Sequence, residues 1–190
     1  MKKSSEPPTP LYCAFLRGVN VKGTTMKMTD VCTVFERVDM SSVSAVLASG
    51  NILFSSDESM ERSKQMLEDA LSTSFSYEAY LFVRDKSQIE TIIRQNPYKS
   101  NADFHVYVFV GIANIEDVLW AEFERSKKSD GEAGIIAAGN FYWRVPKGST
   151  LDSEFGKILG RKTLKNAFTS RNINTVERIF KKMLSCSPSL

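Results

Sequence analysis

The segment RGVNVKGTTMK, residues 17–27, runs from an expected strand into an expected helix and carries Arg17, Lys22 and Lys27 around Gly18 and Gly23. Backbone N–H groups of such a loop, together with the positive end of the following helix, can hold an anion. A P-loop requires Lys and then Ser or Thr directly after its second glycine. Here Thr24 follows Gly23 and Lys22 precedes it, which excludes that class of nucleotide hydrolase. What remains is an anion site built from Arg17, Lys22, Lys27 and the backbone, weighed against a basic loop with a glycine turn.

A second candidate is Arg171-Asn172, just before a helical pattern that starts with Asn174 as N-cap and Glu177 three residues on. A guanidinium fork beside an amide at a helix N-terminus can recognise an anion, whereas the plain alternative is a capping turn whose arginine pairs with a surface carboxylate. Other constellations are weaker. His105 is the single histidine and lies in an expected strand, so it anchors neither a Ser–His or Cys–His pair nor a His-based zinc site. Cys13, Cys32 and Cys186 are scattered, odd in number and without CxxC spacing, and read as reduced thiols of a cytoplasmic protein. No metal, cofactor or catalytic acid–base pair is named by the residues.

The elements that must position these residues follow from periodicity. LYCAFLRGV (11–19) reads as a strand, and Met28, Val31, Cys32, Phe35 and Val38 form one helical face. Two apolar runs around Gly50-Asn51 read as a tight hairpin, because glycine and asparagine both tolerate positive φ. Met60, Ser63, Leu67, Ala70, Leu71 and Phe75 stripe the next helix, and EAYLFVRD is another strand. The order β-α-β-β-α-β is the split βαβ, ferredoxin-like arrangement.

Beyond it, Ser87 and Glu90 suggest a capping box for a short helix ending at Pro97, FHVYVFVG a strand, and Asn114 the cap of a helix. A second hairpin surrounds Gly139-Asn140, and a further helix ends at Gly160. Strand, helix, hairpin and helix thus occur twice, with Ala48-Ser49-Gly50-Asn51 and Ala137-Ala138-Gly139-Asn140 at the same place in each. We expect an α+β fold of two ferredoxin-like halves related by internal duplication. Residues 1–10 form a disordered lead-in, 11–86 and 87–160 the halves, and 161–190 an extra C-terminal helical segment.

With 190 residues, 42% of them hydrophobic, the chain can bury a large core without metal or disulfide. Net charge of +3, from 25 basic and 22 acidic side chains, requires no polyanionic partner. No apolar run approaches the roughly 18 residues of a membrane span, and MKKSSEPPTP lacks the apolar core of a signal peptide. The RNA-stacking motif of the RRM is missing from NILFSS, and Tyr12 and Phe15 alternate in direction along the first strand, so sequence-specific RNA binding is not favoured.

Three ordered pieces, LRGVNVKG…MKM, SGNILFSS and TSRNINTVERI, resemble the bacterial family called domain of unknown function 1697, over about Leu11 to Leu184. Lys22 departs from the family's usual glycine. The resemblance implies an α+β protein with ferredoxin-like halves and no established reaction. It singles out Arg17, Gly18, Asn20, Ser49, Gly50, Asn51, Arg171, Asn172 and Asn174.

The leading expectation is a cytoplasmic protein that binds a small anionic ligand, a nucleotide or metabolite. Arg17, Lys22 and Arg171 would hold its charge, and Asn20, Ser49, Asn51 and Asn172 would orient it. A rival has the same residues locking the halves together in a structural or interaction protein, buried and bonded to backbone. A third, nucleic-acid binding, requires a basic face joining Lys22, Lys27, Arg161, Lys162 and Lys165. Reaction type and oligomeric state do not follow from these residues.

Overall fold

The computed structural model describes residues 9–21 and 24–186. The chain divides into two compact units, Met1–Lys86 and Ser87–Leu190. In the first, β1 (Leu11–Arg17) leads through a ribbon of β2 (Asn20–Val21) and β3 (Thr24–Thr25) to α1 (Met28–Arg37). The hairpin strands β4 (Ser41–Ala45) and β5 (Asn51–Ser55), α2 (Met60–Phe75) and β6 (Tyr80–Asp85) complete it. Then follow α3 (Lys86–Arg94), β7 (Phe104–Gly111), α4 (Ile115–Arg125), β8 (Ala133–Ala137), β9 (Asn140–Pro146), α5 (Glu154–Leu159), β10 (Phe168–Asn172) and α6 (Ile173–Cys186).

The fold is α+β, with two four-stranded sheets ordered β4-β5-β1-β6 and β8-β9-β7-β10, every neighbouring pair antiparallel. Leaving out the β2–β3 ribbon, each sheet runs second, third, first, fourth strand of its unit. Shared element order and shared pairing order are consistent with a duplicated two-half fold.

In the first unit, Tyr12, Ala14 and Leu16 of β1 and Ile52 and Phe54 of β5 share a core with Val31, Val34 and Phe35 of α1 and Leu67 and Leu71 of α2. Cys13, Phe15 and Leu53 project to the other side and are also buried. Tyr12 and Phe15 are both buried, so neither ring of this strand is exposed to stack on a base. Helix α2 starts where Ser59 Oγ accepts from Arg62 N at 3.2 Å, and its buried Ser63, Leu67 and Leu71 follow the expected stripe.

The second unit is built on aromatic packing. Phe155 of α5 meets Phe123 and Trp143 with ring centroids 5.2 Å apart, both edge-on, the arrangement that ring quadrupoles favour. Trp143 Nε1 donates to Glu132 Oε1 at 2.8 Å, and Glu132 Oε2 accepts from Ser129 N, so this buried carboxylate and indole satisfy each other. Tyr142 Oη donates to Ile92 O, one of the carbonyls left over at the end of α3. Burial pushes the Tyr142 phenol well above its ordinary value. The aromatic run Phe141-Tyr142-Trp143 is core.

Several local expectations are corrected. Helix α3 begins at Lys86, so Ser87 and Glu90 fall inside it and form no capping box; Glu90 pairs with Arg94 at 2.6 Å instead. Asn114 precedes α4 but sits at φ 61° with no side-chain cap bond. The segment after 161 is not wholly helical, because Phe168–Asn172 pairs with β7 and forms the edge strand β10 of the second sheet. The two Gly-Asn hairpins also differ. Gly50 ends a five-residue connection in which Leu47 is at φ 61° and Gly50 at φ 71°. By contrast, Ala138-Gly139 is a two-residue turn with φ 46° and 70°, the type I′ pattern that matches strand twist.

Candidate functional site

The end of β1 and the β4–β5 connection meet at one end of the first sheet. Leu16 N donates to Gly50 O at 2.7 Å, and Phe15 stands opposite Asn51 in register. A Cβ on Gly50 would lie 3.0 Å from Val19 Cγ1 and 3.1 Å from Leu16 Cβ, so the close approach of this loop to β1 requires glycine. Asn51 is fully buried, and its Nδ2 donates to Val46 O at 3.0 Å and to Ser49 Oγ at 2.9 Å. Backbone Val46 N in turn donates to Asn51 O. Ser-Gly-Asn therefore stitches its own loop shut: the amide uses both hydrogens inside the protein, while Ser49 lies at the surface.

Arg17 closes β1 opposite Tyr80 of β6 and is half-buried. Burial lowers its guanidinium below the ordinary value. The Tyr80 hydroxyl donates to the Glu78 carboxylate, which raises the phenol. Asn20 enters the backbone of β2, and Lys22 lies outside the described residues.

Arg171 and Asn172 belong to the second unit, where they end strand β10 directly before α6 rather than lying in a helical segment. Arg171 is buried in β10 opposite Val108, with Nη1 donating to Thr169 Oγ1 at 2.6 Å and Ser170 O at 2.8 Å. Asn172 Oδ1 accepts from Asn174 N at 3.0 Å, so Asn172, rather than the expected Asn174, caps α6. Its Nδ2 lies 3.2 Å from His105 Nδ1. As an amide N–H can only donate, the contact is a hydrogen bond when His105 Nδ1 accepts. The asparagine joins the start of α6 to β7. Sequence reasoning missed this link because the two residues are 67 positions apart, and only the β7–β10 register brings them together.

Arg17, Asn51 and Ser49 thus lie at one end of the first sheet, where Asn51 and Ser49 are bonded to each other, while in the second unit Asn172 contacts His105 and Arg171 bonds within its own strand. Among the described residues, no group of three or more His, Cys, Asp or Glu side chains could hold a metal ion. A shallow groove of about 400 Å³ on the first unit is lined by Val34, Val38, Met66 and Ala70 with Arg37 and Asp69, and none of the motif residues reaches it. Of the basic residues considered for nucleic acid, Arg161 pairs with Glu122 at 3.1 Å. No helix among the described residues is long and apolar enough to cross a membrane.

The family described as "Protein of unknown function (DUF1697)" matches residues 10–142. The match covers Arg17, Asn20, Ser49 and Asn51 and ends before Arg171 and Asn172. A solved structure, of a conserved bacterial protein from Streptococcus pneumoniae, is similar with a TM-score of 0.76 at 18% identity, covering 93% of this chain and 99% of that one. At that identity the likeness concerns the fold. No curated protein matches the chain.

Proposed function

Because the chain belongs to the DUF1697 family, whose description names no activity, its function has to be argued from its own residues, and we propose that it is a cytoplasmic interaction protein. It consists of two ferredoxin-like halves that arose by duplication, and its motif residues serve as determinants of the fold. The observation that carries this reading is Asn51, fully buried with both amide hydrogens given to the protein's own loop. Arg171, bonded within its own strand, and Asn172, capping α6, support it in the same way. The ferredoxin-like assignment rests on the strand order within each antiparallel sheet, and the cytoplasmic one on three cysteines that form no disulfide.

A second reading, a small anionic ligand held at the end of β1, is favoured by one observation. The half-buried Arg17 guanidinium stands on the same sheet end as the exposed Ser49. A thermal-shift screen against nucleotides and phosphorylated metabolites separates the two, since a ligand bound only by the folded state raises its melting temperature. The interaction reading expects no shift. A saturable shift that disappears in Arg17→Ala overturns it in favour of the ligand.

A further inference from the structure

Four strands form the edges of the two four-stranded sheets, and an unpaired edge is a template for another strand. Three of them are blunted. The ladder of β4 is broken by a register shift between Ser41 and Ser44, with Ser42 at φ 52°. Strand β6 carries Arg84 and Asp85, and β10 carries Arg171. By contrast, β8, with the sequence Ala-Gly-Ile-Ile-Ala, has no charge, no proline and no irregularity in its pairing, and Ile135 at its centre is 40% exposed.

We propose that β8 is the edge through which two copies of this chain pair, antiparallel, about a twofold axis at Ile135. The proposal rests on the interaction reading above and names the partner as a second copy. The register follows from the turn. In a two-residue hairpin the flanking residues, Ala137 and Asn140, form a hydrogen-bonded pair, and such pairs alternate along the ladder. Ala133, Ile135 and Ala137 therefore aim their backbone groups at β9, while Gly134 and Ile136 aim theirs outward.

Antiparallel pairing centred on Ile135 sets Gly134 against Ile136 of the second copy, and Ile136 against its Gly134. Each pair exchanges two hydrogen bonds, so the outward groups of one copy match those of the other. Side chains fit the same register. Gly134 is bare backbone whose side-chain side is covered by the Phe123 ring, where a Cβ would come within 2.8 Å, so the facing isoleucine of the second copy would meet an aromatic ring. The two Ile135 side chains meet in a non-hydrogen-bonded pair, where strands come closest. No like charges are opposed: Glu132 faces Ala138, and Asp130 faces Asn140. A five-residue strand pair is small beside the about 1,200 Å² at which stable interfaces begin, so the dimer is one that dissociates on dilution.

Sedimentation of the full chain over about 10–500 µM, a range suited to an interface of this size, tests the pairing. The expected result is a concentration-dependent dimer that Ile135→Lys abolishes with its far-UV circular dichroism and melting temperature unchanged. Cross-linking gives a measurement that does not depend on how that variant folds. In a Cys186→Ser background, Ile135→Cys should form a disulfide dimer on mild oxidation, because Cα atoms of such a pair lie about 4.5 Å apart. Leu151→Cys, at a position 81% exposed, is the comparator. A wild-type chain that stays monomeric throughout, or cross-linking at 135 no faster than at 151, overturns the β8 proposal and leaves the interaction reading standing. A saturable nucleotide-induced thermal shift that disappears in Arg17→Ala overturns the interaction reading, an outcome that is read separately from the dimer.

Discussion

Replacing Asn51 by alanine removes a side chain with no solvent exposure that donates to Val46 O and Ser49 Oγ. The two losses are unequal. Ser49 is at the surface and turns to water at little cost, whereas Val46 is buried and its carbonyl is left without the amide. A net hydrogen bond of about 1 kcal/mol, plus about 1–2 kcal/mol for the stranded carbonyl, puts the destabilisation at about 2–3 kcal/mol. For unfolding of the whole chain in one step, that lowers the melting temperature by about 4–12 °C, and by more if the first unit melts alone. Differential scanning calorimetry reads both the shift and the number of transitions. Ser49→Ala should cost about 1 kcal/mol, less than Asn51→Ala, because it takes one acceptor from the buried amide but leaves its bond to Val46 O in place. An Asn51→Ala protein melting within about 1 °C of wild type would refute the reasoning, because the amide would then not be holding the loop and would be free for a ligand.

Three other outcomes are expected. Asn172→Ala should cost about 1 kcal/mol through loss of the α6 cap, while Asn174→Ala, at an exposed position, should be near neutral in the same chemical denaturation series. Gly50→Ala should destabilise more than Gly139→Ala in thermal melts. Both leave a non-glycine residue at positive φ, at about 1–2 kcal/mol, but only the Cβ at 50 meets neighbours at 3.0 Å while that at 139 meets none within 4 Å. Tyr142 has its phenol raised by burial, so the unfolded chain loses that proton first as pH rises above about 10. Stability from this group is complete below that pH and is lost above it, and urea titrations at pH 8 and 11 should show a smaller alkaline loss for Tyr142→Phe than for wild type.

Elements whose cause is local were legible in the sequence. Helix α2 announces itself through Ser63, Leu67 and Leu71 at spacings of four, and β1 through a run of β-favouring residues buried on both faces. Strand β10 was not, because Phe-Thr-Ser-Arg-Asn has neither a continuous apolar run nor a clean alternation. What makes it a strand is pairing with β7, from Phe168 opposite Gly111 to Asn172 opposite Tyr107, residues about sixty positions away along the chain. Once 168–172 is extended, the helix that follows starts at Ile173 and Asn172 becomes its cap, so one unseen pairing moved both the helix boundary and the role of a candidate site residue.

The candidate site shows why residue type at a motif position underdetermines its job. An asparagine amide that could orient a ligand serves equally to close a loop, and the choice is made by whether a backbone carbonyl is already within reach. Asn51 finds Val46 O and Asn140 finds Ala138 O, in connections of different length. In the five-residue connection the amide is buried, and Ser49 supplies a second acceptor. In the two-residue turn the bond is exposed and alanine stands where the serine was. The shared dipeptide therefore specifies two things in both places, a glycine at positive φ and an amide seeking a carbonyl, while the number of residues before it decides whether the asparagine becomes part of the core.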